Sequence, residues 1–223
     1  MSEWWTYRPS SFLLFAPQTY YRLIEAFNRE VWPAQLIALV AVLLLVAIAW
    51  RGSNAARPVV ALALAAAWAL VAWRFLWLHY SAINWAAPWF AAAFGLQAAL
   101  LIGSAVRGHR ELPAPRTQRY AGLLLLVLAL ALQPLIALSA GRAWPQLEVA
   151  GLLPDPTAIV TLGLLLITWR RPWLLLVVPI LWCLGSALTL WNLHAPDAVV
   201  PAAAAALALG TVLRRATRDA PAA

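Results

Sequence analysis

Seven long apolar runs constrain this chain more than any other feature. Each is close to the ~20 residues that a helix needs to cross a bilayer. The stretch from Leu123 to Leu132 is apolar at every position, without the alternation of a β-barrel strand. We therefore predict an all-α integral membrane protein, a bundle of about seven transmembrane helices in one domain over residues 1–223. The predicted spans are 31–50, 58–80, 84–106, 120–140, 151–169, 172–191 and 198–213. An alternative is six spans and a re-entrant segment, because the fifth and seventh runs are short or interrupted by prolines.

Composition supports the membrane class. The chain is 64% hydrophobic and 11% charged, whereas roughly a quarter of the residues of a soluble domain are charged. The formal net charge of +8 would suggest nucleic acid in a soluble protein, but here arginines separate the apolar runs. We therefore expect a lipid bilayer as the environment and no nucleic-acid partner.

Arginine placement predicts the orientation. Eleven arginines follow the first, third, fifth and seventh spans, and five lie on the other side. Because basic residues stay in the cytoplasm, we predict a bacterial inner-membrane protein with its N-terminus outside and its C-terminus in the cytoplasm.

The first 30 residues predict a helix that lies on the membrane surface or caps the bundle. Pro17 suits a helix start, and Tyr20, Ile24, Phe27 and Val31 then fall on one face. Aromatic side chains that favour the membrane interface accompany it; they are Trp4, Trp5, Tyr7, Tyr20, Tyr21 and Trp32.

Candidate site residues gather at the predicted outer ends of the spans. Arg74 is a charge inside an apolar run, and it suits either a snorkelling anchor or a partner for an acid. Asp155, Asp197 and Glu25 are the acids considered for it, with Asp155 or Asp197 preferred. Asp155, Asp197 and Asn84 each precede or open a span, so each also suits a helix-start role. The predicted ligand-binding residues are Arg74, His79, Asn84, Asp155, Asp197, His194 and Glu25.

Cofactor and catalytic signals are weak. His79 and His194 suggest a haem or metal site, but no metal-binding spacing accompanies them, and the prediction is that no cofactor is bound. The sequence has no nucleophile–base pair, phosphate-binding loop or zinc signature, so no catalytic residue is predicted.

Three stretches resemble a family of bacterial multi-pass membrane proteins of unknown function. They read WWTYRPSSFLLFAPQTYYRL, HYSAINWAAPWFAAAFG and GLLPDPTAIVTLGLLL, and the resemblance extends to about Ala202. It implies a membrane protein with an integral N-terminal helix, and it transfers no functional residue.

Three functions remain open from the sequence. The first is a small-solute or ion permease with an outward-facing polar site. The second is an accessory or assembly subunit that binds a larger membrane protein. The third is a haem- or metal-binding redox protein.

Overall fold

A computed structural model describes residues 16–53, 55–107 and 113–219, with the side chains of 215–219 left aside. Trp4, Trp5 and Tyr7 therefore lie outside the described residues. Within them the chain is helical, without a β-strand. The helices are α1 (Pro17–Glu30), α2 (Ala34–Arg51), α3 (Ala56–Leu70), α4 (Ala87–Val106), α5 (Arg116–Val127), α6 (Gln133–Ser139), α7 (Pro154–Thr168), α8 (Trp173–Asn192) and α9 (Val199–Asp219).

Two stretches of π-helix lengthen the spans. Val71–Trp77 continues α3, and Leu128–Leu132 joins α5 to α6 without a break. The second stretch comes just before Pro134, whose missing N–H leaves the carbonyl of the preceding turn without its usual partner. With these additions, six helical segments of the described chain are long and apolar enough to cross a membrane. The fold is thus a multi-pass, all-α membrane bundle.

Helix α7 is the centre of the bundle. It has 15 residues, about 22 Å at 1.5 Å per residue, and every one of its side chains is buried. Helices α2, α3, α5, α8 and α9 pack around it, and α4 packs on α3 and α8. Because protein surrounds α7, its length need not match the ~30 Å hydrocarbon layer.

Helix α7 nevertheless runs from one end of the bundle to the other. Gln118, at the start of α5, donates to the carbonyls of Leu166 and Trp169 at the end of α7. Asp155, at the start of α7, accepts a hydrogen bond from Ser186 in the second half of α8. Helix α7 is therefore antiparallel to both α5 and α8. A seventh membrane-crossing helix would have the same orientation.

Glycines permit the close crossing of α5 and α7. A Cβ atom at Gly122 would lie 2.6 Å from the carbonyl oxygen of Gly163, and one at Gly163 would lie 2.8 Å from that of Gly122. Such distances exclude any side chain larger than hydrogen. The two backbones are therefore in direct contact, as in small-residue interfaces between membrane helices.

Helix α1 caps one end of the bundle, as the periodicity of its sequence predicts. Its buried face consists of Tyr20, Ile24, Phe27 and Asn28. The Phe27 ring packs edge-on against Phe75, with 5.3 Å between centroids. Asn28 donates 2.8 Å hydrogen bonds to the carbonyls of Pro145 and Leu147. The cap is thus held on two sides, by the end of α3 and by the connection from α6 to α7.

Charge divides the two ends of the bundle. One end, here the acidic end, holds Glu25, Glu30, Glu148, Asp155 and Asp197; the other, here the basic end, holds Arg51, Arg57, Arg107, Arg116, Arg119, Arg170, Arg171 and Arg214. This is the asymmetry from which the sequence predicts an outer and a cytoplasmic end.

Candidate functional site

A buried ion pair lies beneath α1 at the acidic end. Arg142 follows α6, where its backbone N–H bonds the carbonyl of Ala137. Its Nη2 donates to both carboxylate oxygens of Asp197, at 2.6 and 2.7 Å. The guanidinium lies 4.2 Å from the centre of the Tyr21 ring. The two side chains are only 5% and 1% exposed, so this pair is shielded from solvent and salt.

Glu148 is a second buried acid, and its hydrogen bonds are long. The Tyr20 hydroxyl and Gln133 Nε2 donate to its two oxygens, each at 3.4 Å. Burial raises the pKa of Glu148 well above its ordinary value, and the negative charge of Asp155 adds to the increase, whereas Arg142 opposes it. A carboxyl with weak hydrogen bonds in a buried setting favours the protonated form.

Asp155 is the third buried acid. Trp182 Nε1 and Ser186 Oγ donate to its two oxygens at 2.8 and 2.5 Å. Both donors belong to α8. The carboxylate therefore ties α7 to α8, although it also stands in the first turn of α7, where the sequence places a helix-start role.

Together these groups form a buried carboxyl cluster, defined as Glu148, Asp155, Asp197 and Arg142. Each of the three acids is at least nine-tenths buried. If all were ionised, the cluster would carry three negative charges and one positive charge. Because an unpaired buried charge is costly, protonation of an acid or binding of a cation would stabilise this cluster.

A second group of charges, at the surface, contains Arg74. Its Nη2 donates to Glu30 at the end of α1, so the prediction of Asp155 or Asp197 as its partner is wrong. The contact of Phe27 with Phe75 brings the end of α1, and with it Glu30, next to Arg74. Asp197 instead forms its ion pair with Arg142. The side chains of Arg74 and Glu30 are 40% and 48% exposed, as expected near the end of a span.

His79 belongs to this surface group and has both ring nitrogens occupied. Nε2 lies 2.9 Å from Glu30 Oε2, and Nδ1 lies 2.6 Å from the carbonyl oxygen of Arg74. His194 is exposed, in the left-handed backbone region at φ 54°. No group of three or more His, Cys, Asp or Glu that could hold a metal ion occurs among the described residues.

The remaining predicted residues are peripheral. Glu25 pairs with Arg29 one turn along α1 and accepts a 3.0 Å hydrogen bond from Gln146. Asn84 Oδ1 accepts from the N–H of Ala86, which is a local turn before α4. The predicted set thus divides into two buried acids, a surface group and three residues with local roles.

Sequence reasoning missed Arg142, Glu148 and Tyr20 as site residues. The available signal was a basic and an acidic residue six positions apart in a short connection, on the side of the chain that is poor in arginine. Both residues lie in a connection and not within an apolar run, where an ionisable side chain would mark a candidate site.

A lateral cleft leads from the bundle surface to the cluster. Helices α2 and α5 both pack on α7 but make little contact with each other. Between α2 and the segment that joins α5 to α6 is a half-open cavity of about 500 Å³. Its lining is mainly apolar, with Leu36, Leu39, Leu130 and Pro134 among the walls. This volume falls in the range of small-molecule sites.

The cleft has aromatic and polar groups at its acidic end. Exposed Trp32 and Trp144 lie on its two sides, and Asn28, Arg29 and Gln35 complete the polar part. Glu148 is its one carboxyl group within the described residues. The cleft therefore connects an apolar surface to Glu148, the member of the buried cluster that lines the cleft.

Comparisons with known proteins identify a family without a known function. A family model described as "Family of unknown function (DUF6064)" matches residues 17–221. No curated protein and no solved structure matches the chain. The resemblance to a family of unknown function is thereby confirmed. The match begins at residue 17, within the first of the three stretches and not at the N-terminus, and it extends beyond Ala202.

Proposed function

Given that the chain belongs to DUF6064, a family of unknown function, we propose that it is a membrane permease for small, partly apolar cations. The observation that carries this proposal is the opening of an apolar cleft onto Glu148 in a buried cluster with an excess of carboxyl groups. A permease needs a binding site that a solute can enter from one side of the bundle. This cleft is open on one side and so meets that requirement.

Charge and lining together favour a cation over an anion or a sugar. The cluster has three buried acids and one guanidinium, which pairs with Asp197, so a positive ligand lowers the electrostatic energy of the cluster whereas an anion raises it. Trp32 and Trp144 supply ring faces that attract organic cations. The apolar walls favour alkyl or aryl substituents over a hydrated metal ion.

Glu148 would couple solute binding to a proton. In the empty cleft its raised pKa favours the protonated carboxyl. A bound cation stabilises the ionised form, so the carboxyl releases one proton as one positive charge enters. The total charge of the cluster is then unchanged, which is the condition for exchange of a proton against a cation.

A binding experiment tests this directly. Tetraphenylphosphonium is titrated into the purified protein in weakly buffered detergent solution, while bound probe and released protons are both measured. We expect about one proton released per probe bound. Glu148→Gln should bind more weakly by at least tenfold and release no proton. Glu30→Gln, an acid at the same end whose partners Arg74 and His79 do not line the cleft, is the matched control and should behave as the wild type.

Transport is tested in proteoliposomes with a pH-sensitive dye inside. Imposing a gradient of the same probe should change the internal pH faster with wild-type protein than with Glu148→Gln. Binding without any proton release, or equal behaviour of Glu148→Gln and the wild type, would refute the assigned role of Glu148.

The proposed orientation in a bacterial inner membrane has its own test. In a Cys183→Ser background, single cysteines at exposed Ser53 and exposed His194 are labelled with an impermeant thiol reagent in whole cells. We expect labelling of His194→Cys from outside and of Ser53→Cys only after the membrane is opened. The reverse pattern would place the carboxyl cluster at the cytoplasmic end.

The two other functions stay predictions. An accessory role would be supported by a stoichiometric partner that copurifies from native membranes. A redox role would require an absorption band or a bound metal, and the occupied ring nitrogens of His79 give it no support.

A further inference from the structure

A second, smaller cavity lies at the basic end of the bundle. Its volume is about 100 Å³, room for more than one water molecule. It is bounded by the end of α2, the starts of α3 and α5, and the end of α7. The polar residues in its lining are Ser53, Arg57, Arg119 and Thr168, and no acid is among the lining residues that the structure describes.

Two buried polar atoms of this cavity lack a hydrogen-bond partner within the described structure. They are Arg119 Nε, a charged donor, and Thr168 Oγ1, a hydroxyl that can donate or accept. Buried polar groups in proteins are nearly always paired, and an unpaired charged donor is especially costly. Two such atoms in one cavity indicate that an acceptor-rich group belongs there.

Other contacts hold Arg119 in place. Its Nη2 donates to the carbonyl oxygen of Trp50, and its guanidinium lies 4.3 Å from the centre of the Trp50 ring. Arg57 Nε reaches the carbonyl of Thr168 at 3.4 Å. The Arg119 guanidinium is therefore held beside the cavity before any ligand arrives, which reduces the entropy lost on binding.

We infer that this cavity binds a phosphate group. Two guanidiniums and one hydroxyl suit an oxyanion with several acceptor oxygens. The neighbouring Trp50 and Tyr120 rings, 6.0 Å apart and both exposed, are side chains that favour the depth of lipid headgroups. The same chemistry is offered by an anionic phospholipid and by free phosphate. This site is at the opposite end of the bundle from Glu148, so it does not depend on the proposed permease function.

Native mass spectrometry and thermal unfolding of the purified protein in detergent test the inference. The probes are phosphatidylglycerol, phosphatidylcholine and inorganic phosphate, added separately. We expect wild-type protein to retain phosphatidylglycerol or phosphate in a one-to-one adduct and to unfold at a higher temperature in its presence. Arg119→Gln should weaken that binding at least tenfold, and Thr168→Val several-fold.

Arg116→Gln is the matched control, because Arg116 is exposed on the same turn of α5 and does not line the cavity. It should bind as the wild type does. Binding of phosphatidylglycerol alone identifies a lipid headgroup, and binding of phosphate alone identifies a free anion; either supports the site. No adduct with any probe, or equal losses in Arg116→Gln and Arg119→Gln, would overturn it. If Arg119→Gln does not fold, the binding measured with Thr168→Val decides whether the site exists, because that variant replaces only the hydroxyl by a methyl group.

Discussion

Removing either member of the Arg142–Asp197 pair should destabilise the protein strongly, and the loss of Arg142 should cost more stability than the loss of Asp197. Breaking a buried ion pair typically costs about 3–5 kcal/mol, because the surviving charge stays buried without a partner. Arg142 also interacts electrostatically with Glu148. Asp197→Leu therefore leaves Arg142 with another acid nearby, and we expect a loss of about 3 kcal/mol. Arg142→Met leaves three buried acids without a cation and removes the stacking on Tyr21, so its loss should be nearer 5 kcal/mol.

The double variant Arg142→Met/Asp197→Leu should recover at least ~2 kcal/mol relative to the sum of the single losses. Replacing both partners of a buried pair by apolar side chains leaves no unpaired charge from the pair itself. Unfolding by added sodium dodecyl sulfate in mixed micelles, followed by circular dichroism, measures the free energies. The control pair is Arg29 and Glu25, where an arginine side chain that is 71% exposed should contribute no more than ~0.5 kcal/mol.

Two results would refute this reasoning. Single losses below about 1 kcal/mol would mean that the pair behaves as a surface ion pair, which its exposure excludes. Simple additivity in the double variant would mean that the two side chains are not energetically coupled. A smaller loss for Arg142→Met than for Asp197→Leu would refute only the inferred contribution of Glu148.

Three further predictions follow from the geometry. Arg74→Ala should lower the free energy of unfolding by at most ~1 kcal/mol, because the Arg74–Glu30 pair is exposed. A double-mutant cycle should show coupling between Arg74 and Glu30, and coupling to a buried acid instead would contradict the structure. Because the folded-state pKa of Glu148 is raised above the ordinary 4.5, the wild type should lose stability as the pH rises above about 4.5. Glu148→Gln should reduce that loss. The same dependence of melting temperature on pH in the variant and in the wild type would contradict this prediction. Gly122→Ala should cost at least ~1–3 kcal/mol by forcing α5 away from α7, whereas Gly95→Ala, with open space around it, should change unfolding by less than ~1 kcal/mol.

The helices were predictable because their causes are local. In a bilayer each backbone N–H and C=O must be satisfied within its own segment, so an apolar run of sufficient length becomes a helix whatever its neighbours are. The observed helical segments coincide with the seven apolar runs to within four residues at each end, except that α9 ends six residues after its run. The start of α1 at Pro17 and its buried face follow likewise from a proline and a 3.6-residue period.

The partners of the charges were not predictable in this way. The two candidate acids chosen for Arg74 are both bonded elsewhere, to Arg142 and to the α8 side chains, while Glu30 reaches Arg74 across 44 positions in the sequence. His79 and His194 share an end of the bundle but not a site. Each outcome depends on how far a helix is rotated about its axis and where α1 docks, and neither is encoded by spacing within one segment.

Sequence alone thus determined the membrane class, the helices and the separation of acidic from basic ends, since these depend on apolar length and on the placement of charge along the chain. Only tertiary structure decided that Glu148, Asp155 and Asp197 come close enough to Arg142 to interact with it electrostatically. Tertiary structure also decided that a cleft between α2 and the segment joining α5 to α6 opens onto Glu148. The physical reason is that helix formation satisfies the backbone within a segment. Pairing of buried side chains instead requires contacts between residues far apart in sequence, and those contacts exist only after the helices pack.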